Sequence, residues 1–472
     1  MAQNNALRAV GASQGAITVP HFVDVLKRHG KTPTFEGRPW DGITPPVDPA
    51  LYVELENRVF DGAHESLERL KEYAAYKRLN PVSLLVNVCA VVCASIPPNV
   101  VGYTGSGFSD LNLNLFAVNW GVTGGGKGKL VRAALEYTTV CINGQEREVR
   151  SFPAGTGEGI AGKALPGDDG KQSATLIRID ESSDLSKKVE RLGATLRPTL
   201  LQVYSGEQLG AMNKDTKMEE IARENSYRMC LIMATQKDTA GFFFQGIEGT
   251  LNLEQNGGDG FMDRFIAVET INPAYVRPTS EIEPKPIKVS LEIGTGARVP
   301  VELPHDAVEL MAANDEAKGY GLDDIGGSGH ALETQAKLTV ALALLRSSVD
   351  LKATWGDWER AGAIMDYSRT VFGRMKAHLV ERDTAAKAMK RIADDKAREK
   401  ATEERWNRIA AKILEPVKGG DTAQWSGRGG VSQTKWNSKT RDEAEHVFND
   451  LVQNGTIRAW KTDQGATFYV SG

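Results

Sequence analysis

Cysteine is scarce in this 472-residue chain, and its placement excludes several chemistries. Cys89, Cys93, Cys141 and Cys230 are scattered through apolar runs and make no zinc-ligand spacing. Buried thiols in a reducing cytoplasm are expected, not a disulfide scaffold. Long hydrophobic runs are missing too. No stretch approaches about eighteen consecutive apolar residues, so no membrane span is expected. The longest run, 84–96, is interrupted by Asn87 and reads as a core helix. The opening MAQNNALRAVGAS lacks the apolar centre of a secretory signal. An excess of positive charge is also absent. The formal net charge of −4 excludes a whole-protein basic field, so nucleic-acid contact must rest on local patches. No primase or polymerase pattern is visible. The length is too great for one ordinary core, and two or three domains are expected.

What is present centres on 111–130, LNLNLFAVNWGVTGGGKGKL. It reads as a buried strand, a glycine-rich loop and the start of a helix. The loop Gly121-Val122-Thr123-Gly124-Gly125-Gly126-Lys127 fits G-x-x-x-x-G-K, the phosphate-cradling P-loop in all but its next position. Glycines let backbone N–H groups approach phosphate oxygens. Lys127 supplies a cation that can reach the β- and γ-phosphates, and the helix N-terminus faces the same anion. Gly128 stands where Ser or Thr would give Mg²⁺ a hydroxyl. Water, Thr123 or another hydroxyl takes that role, or metal binding is weak. The cradle is read as Gly121, Thr123, Gly124, Gly125, Gly126, Lys127, Gly128 and Lys129, with ATP and Mg²⁺ as its cofactors.

The second key stretch is 174–181, ATLIRIDE. An apolar strand there delivers Asp180 and Glu181 at its C-terminal end. Asp180 would hold Mg²⁺, and Glu181 would orient and deprotonate the attacking water. The competing reading is an acidic strand end capping a helix that starts at Ser182-Ser183. The apolar run 228–236 ends in Thr235-Gln236, where a neighbouring strand would place a γ-phosphate sensor; Gln236 leads. Arg264 precedes a fourth strand and is read as an arginine finger. An Asp263–Arg264 surface pair is the plain alternative. Glu158, between glycines, is a nucleotide-side acid or an ordinary turn residue.

The remaining segments set the domains: a lead-in over 1–48, a helical segment over 49–100, a P-loop NTPase core over 101–350, connecting helices over 351–418 and a winged-helix-like domain over 419–472. Pro81 suits the first position of a helix running to Ile96. Residues 285–303 read as a β-hairpin. In the last domain a helix over 441–454 precedes two paired strands. Its local basic excess, Lys435, Lys439, Arg441, Arg458 and Lys461, is a candidate phosphate-contacting set or a solvated surface.

In the order of its pieces the chain resembles the RecA-like P-loop ATPases of actinobacterial phages, plasmids and integrated elements, which are replicative helicase-like or primase–helicase-like proteins. The resemblance runs from about Pro81 to the C-terminal domain. It is carried by GVTGGGKG, GTGEGIAG, LIRIDE, Asn80-Pro81, Ile96-Pro97-Pro98, Tyr204-Ser205-Gly206-Glu207 and Gly260-Phe261-Met262-Asp263-Arg264-Phe265. It implies an α/β RecA-like core and a homo-oligomeric ring, expected to be a hexamer, with ATP between subunits. Lys127, Asp180 and Glu181 would act in cis and Arg264 in trans, on single-stranded DNA, with a primase or loader as possible partner. A regulatory or defence switch that binds DNA without unwinding it is the second reading.

Overall fold

The computed structural model describes residues 27, 32, 34–35, 38–39, 49–105, 110–166, 175–180, 195–210, 221–244, 260–275, 283–293, 298–319, 330–346, 351–426, 430–431 and 440–472. By contacts the chain divides into two units, Met1–Val380 and Glu381–Gly472.

In the first unit, a short antiparallel pair, β1 (Thr34–Phe35) and β2 (Arg38–Pro39), precedes three helices. These are α1 (Pro49–Phe60), α2 (Glu65–Lys77) and α3 (Pro81–Ser95). α1 and α2 are parted at Gly62, whose φ of +61° a helix interior does not accept. Asn80 caps α3 by accepting from the Ser83 amide at 3.1 Å, with Pro81 at the first position. Every residue of α3 is buried, as expected of a helix apolar all round. Asn87 is its polar exception. It exchanges amide hydrogen bonds of 2.8 and 2.9 Å with Asn119 of the P-loop strand, which fixes the helix against the sheet.

Strand β3 (Val100–Tyr103) leads to β4 (Phe116–Trp120). The strand expected from Leu111 begins only at Phe116. Side chains replace ladder partners upstream of it: Asn114 accepts from the Met229 amide, and the Leu115 amide donates to Cys230 Sγ. Helix α4 (Lys127–Tyr137) follows, then β5 (Thr138–Ile142), β6 (Gln145–Glu146), β7 (Arg150–Pro153), α5 (Gly157–Ala164) and β8 (Thr175–Ile179). Helix α6 (Leu196–Ser205) holds Pro198 in its first turn, where it opens the helix and does not break it. Strands β9 (Met229–Thr235) and β10 (Phe265–Glu269) complete a five-stranded sheet in the order β10-β4-β9-β8-β7, parallel throughout. Its inner strands β4 and β9 are nearly continuous apolar runs, broken in β4 by Asn119, as burial on both faces requires.

The hairpin expected over 285–303 is corrected. β11 (Ile287–Leu291) pairs in parallel with β5, and β12 (Val299–Glu302) in parallel with β3. Apolar alternation identifies a strand but not its partner, and each found an existing edge elsewhere. Helices α7 (His305–Gly319), α8 (Ala331–Arg346) and α9 (Trp355–Leu414) follow. The start of α9 carries a capping box between Thr354 and Asp357. Helices α1 to α3 share one hydrophobic core with the sheet, so the helical segment packs against the P-loop core.

The second unit has its own small core. It contains the end of α9, β13 (Ala423–Ser426), β14 (Gly430–Val431), α10 (Arg441–Gln453), β15 (Ile457–Lys461) and β16 (Thr467–Ser471). The strands form an antiparallel sheet in the order β14-β13-β16-β15. Ala444, Val447, Phe448 and Leu451 are the buried face of α10, and Tyr469 Oη donates to the Ile413 carbonyl at 2.9 Å. Among the described residues no single helix is long and apolar enough to cross a membrane.

Candidate nucleotide site

The glycine-rich loop leaves the C-terminal end of β4, flanked by β9 and β10. In parallel α/β sheets this end, where the chain order reverses across the sheet, is where ligands bind. The ladder continues into the loop on both sides. The Gly121 amide donates to the Thr235 carbonyl at 3.2 Å, and the Thr270 amide donates to the Trp120 carbonyl at 3.0 Å. A side chain at position 121 would crowd Thr270: a Cβ there would stand 2.2 Å from Thr270 Oγ1. Gly124 and Gly126 take φ of +75° and +88°, the left-handed conformations that turn successive amides into a concave anion cradle. The first bond of α4 runs from the Leu130 amide to the Gly126 carbonyl at 3.0 Å, so the amides of its first turn face the loop.

Lys127 Nζ lies over this cradle, donating to the carbonyls of Gly121 at 3.0 Å and Val122 at 2.7 Å. Thr123 Oγ1 donates to Gln236 Oε1 at 2.9 Å, which joins the loop to the end of β9. Thr123 and Gln236 therefore meet beside the loop. Gly128 is exposed with nothing within 4 Å of its missing Cβ. Lys129 turns away from the loop and its Nζ donates to the Lys77 carbonyl at the end of α2.

Asp180 sits at the end of β8. Register places Ile179 beside Met233 and Ala234 beside Asn119, so Asp180 lies level with the top of β4, two strands away, roughly 10 Å. Its carboxylate is exposed and accepts from Arg178 Nη2 at 2.9 Å. A lone carboxylate fits the way Mg²⁺ is usually held, by one or two protein oxygens with phosphates and water supplying the rest. No cluster of three or more metal-ligating side chains exists among the described residues. Glu181 lies outside the described residues.

Arg264 is not brought to this loop. It precedes β10 at the opposite end of the sheet, a strand length or roughly 16 Å away along the ladder. Its Nη1 donates to the Gly260 carbonyl at 2.8 Å and its guanidinium lies 5.7 Å from the Tyr204 ring centre. Beside it Lys337, fully buried, pairs with Glu333 at 2.9 Å. Burial alone would raise the Glu333 carboxyl, but Lys337 and His330 outweigh it and hold the group at about 2.

Of the candidate phosphate contacts in the second unit, Arg441 opens α10 and Arg458 and Lys461 lie on β15, all exposed. Lys435 and Lys439 lie outside the described residues. Sequence reasoning missed two aromatic neighbours of this set. Trp460 follows Arg458 by two positions, on the same strand face, and pairs with Phe468 at a ring separation of 6.3 Å. Trp460 is 46% exposed, which is unusual for the largest side chain in so small a unit.

Sequence reasoning also missed the polar support behind the loop. Glu269, the last residue of β10, is buried beside Trp120. It accepts from Arg374 Nη1 at 2.7 Å and from Tyr52 Oη. Burial pushes its carboxyl upward, against the lowering effect of Tyr52 and Arg374. Ser83 Oγ donates to the Glu269 carbonyl at 2.6 Å and Asn80 Nδ2 to that of Ile271 at 2.7 Å. The segment that backs the loop is thus tied to α1, α3 and α9.

No family model matches the chain, and no curated protein matches it. Among solved structures it is similar to a full-length MCM homolog from Methanopyrus kandleri, at 14% identity and a TM-score of 0.31. That alignment covers 71% of this chain and 63% of the other, so the chain spans under two thirds of that protein's length.

Proposed function

We propose that this chain is a P-loop ATPase with a RecA-like core that works on DNA as a helicase-like motor. The observation that carries the reading is the strand order. It lines up the glycine-rich loop of β4, Gln236 of β9 and Asp180 of β8 along one edge of a parallel sheet. Lys127 and the first-turn amides of α4 neutralise the phosphate chain. Asp180 would hold Mg²⁺, which when bound would supply charge neutralisation for the phosphates. Glu181 accepts the proton of the attacking water, and Gln236 donates its amide to the terminal phosphoryl group. Arg264 is read as the arginine finger of a neighbouring subunit's loop, in a homo-oligomeric ring. The second unit is read as a winged-helix-like DNA-contacting module through Arg441, Arg458 and Lys461, with Lys435 and Lys439 from its remaining stretch.

The test is steady-state ATP hydrolysis with and without single-stranded DNA, for the natural chain beside Lys127→Ala and Glu181→Gln. Stimulation by DNA that both variants abolish supports the motor. Hydrolysis indifferent to DNA would move the reading to a nucleotide-controlled switch. The Asp180–Arg178 pair and the glycine at 128 favour that second reading, since both weaken the hold on Mg²⁺.

A further inference from the structure

A cavity of about 230 Å³ lies in the first unit among α1, α2, the start of α3 and the turn after β10. We infer that this cavity is the base subsite of the nucleotide, and that Glu56 selects a base bearing an exocyclic amino group. The inference rests on the P-loop reading for the phosphates and adds the other end of the ligand.

Position is the first argument. Asn272, on the cavity wall, lies two residues beyond Thr270, whose side chain touches Gly121 and Gly125. On the other side, Lys129, at the end of the loop farthest from the terminal phosphate, is bonded to the last residue of α2. Helix α2 gives the cavity Lys71, Ala75 and then Leu79 just past its end. A ligand whose phosphate chain follows the loop therefore emerges toward this opening.

Lining is the second argument. Val53, Ala75 and Leu79 offer apolar walls to a flat ring. A dry cavity of ~150 Å³ holds a benzene-sized ring, so the larger volume here suits a two-ring base. Glu56 is the acceptor. Its side chain is 15% exposed and stands 3.5 Å from Lys71. Burial pushes the carboxyl upward, with Lys71 and a hydrogen bond from Asn272 opposing. Lys71 and Asn272 thus hold the carboxylate in place within a cleft whose remaining walls are mainly apolar, with Asn57 and Tyr275 as the other polar side chains. An amino group on the base answers it, whereas a carbonyl oxygen would leave a buried acceptor facing another acceptor.

Three ligands separate the parts: ATP, inosine triphosphate, which lacks the amino group, and inorganic tripolyphosphate, which lacks the base. Equilibrium binding is measured on the full chain by displacement of a fluorescent ATP analogue. The natural chain should prefer ATP to inosine triphosphate by about tenfold or more. In Glu56→Ala that preference should fall to near unity with tripolyphosphate affinity unchanged. Ala75→Phe, which fills the cavity, should weaken ATP by about tenfold and leave tripolyphosphate alone. Retained tripolyphosphate binding also reports that each variant is folded; if Glu56→Ala is not, Asn272→Ala takes its place with the same expectation. An ATP preference that survives both variants, or none in the natural chain, overturns the base subsite while leaving the P-loop intact. Failure of tripolyphosphate to bind the natural chain overturns both.

Discussion

Replacing Gly121 by Ala tests the loop's seating against β10. The new Cβ would lie 2.2 Å from Thr270 Oγ1 and 3.3 Å from both Thr270 carbons, more than an ångström inside ordinary contact at the hydroxyl. Thr270 follows Glu269, which is fixed by Arg374 and Ser83, so the backbone there has little freedom to retreat. Overpacking of this kind costs ~1–3 kcal/mol. Thr270 Oγ1 is buried with no hydrogen-bond partner among the described residues, so deleting it sacrifices no bond. Thr270→Ala alone should therefore be nearly neutral. Combined with Gly121→Ala it should restore most of the lost stability, a coupling of at least ~1 kcal/mol. Urea unfolding followed by far-ultraviolet circular dichroism measures all four corners of the cycle. Strict additivity, within about 0.5 kcal/mol, would refute the contact. Nucleotide affinity should fall in Gly121→Ala and recover in the double variant.

At Gly128→Thr the new Cβ meets no neighbour within 4 Å, and the variant should raise Mg²⁺ affinity, read as a lower Mg²⁺ concentration for half-maximal hydrolysis, while helix stability rises by only ~0.3 kcal/mol. Arg374→Leu leaves the Glu269 carboxylate buried with Tyr52 alone and should cost ~3–5 kcal/mol in denaturant unfolding, whereas Tyr52→Phe should cost less. His64 is half-buried and burial holds it at about 4, against the pull of Asp357 and with Arg360 and Arg346 adding to the depression. Its unfolded form takes a proton near 6.5 and its folded form resists, so it contributes stability above about pH 6.5 that is lost as pH falls toward 4. His64→Gln should flatten that part of the stability–pH curve. Arg458→Ala should reduce the salt dependence of single-stranded DNA binding, and Trp460→Ala should weaken binding with the salt slope intact.

Much of the sheet was legible because its strands are apolar runs ending in glycine or acid. GVTGGGKG announced strand, loop and helix together, and Pro81 with Asn80 announced α3. The acidic end of β8 and the polar end of β9 were readable as strand ends, but their adjacency is a matter of strand order, which no local pattern encodes. Residues 287–303 show the same limit: two strands were visible and their partners were not. The clamp behind the loop escaped for a related reason. Tyr52, Glu269 and Arg374 are separated by more than a hundred residues at each step, and a single Glu ending a strand carries no sign that it is buried. Asn87 looked like a blemish in an apolar helix until Asn119 was seen to complete it. Trp460 and Phe468 lie on different strands, and only register shows them side by side.

The placement of β4 inside the sheet, between β10 and β9, also governs how the chain must be made. Its two partners begin at Met229 and Phe265, more than a hundred residues downstream of Phe116. At ~5–20 residues per second a ribosome needs on the order of ten seconds or more to deliver them. Throughout that interval Phe116–Trp120, a wholly apolar edge apart from Asn119, has no strand to pair with, although α3 and its Asn87 have already emerged. Pairings of such long sequence separation form slowly, because the loop they close is large. The largely apolar α3 is thus available as an early cover for the nascent strand, and a phosphate loop on an interior strand brings a folding route exposed to aggregation and suited to chaperone assistance.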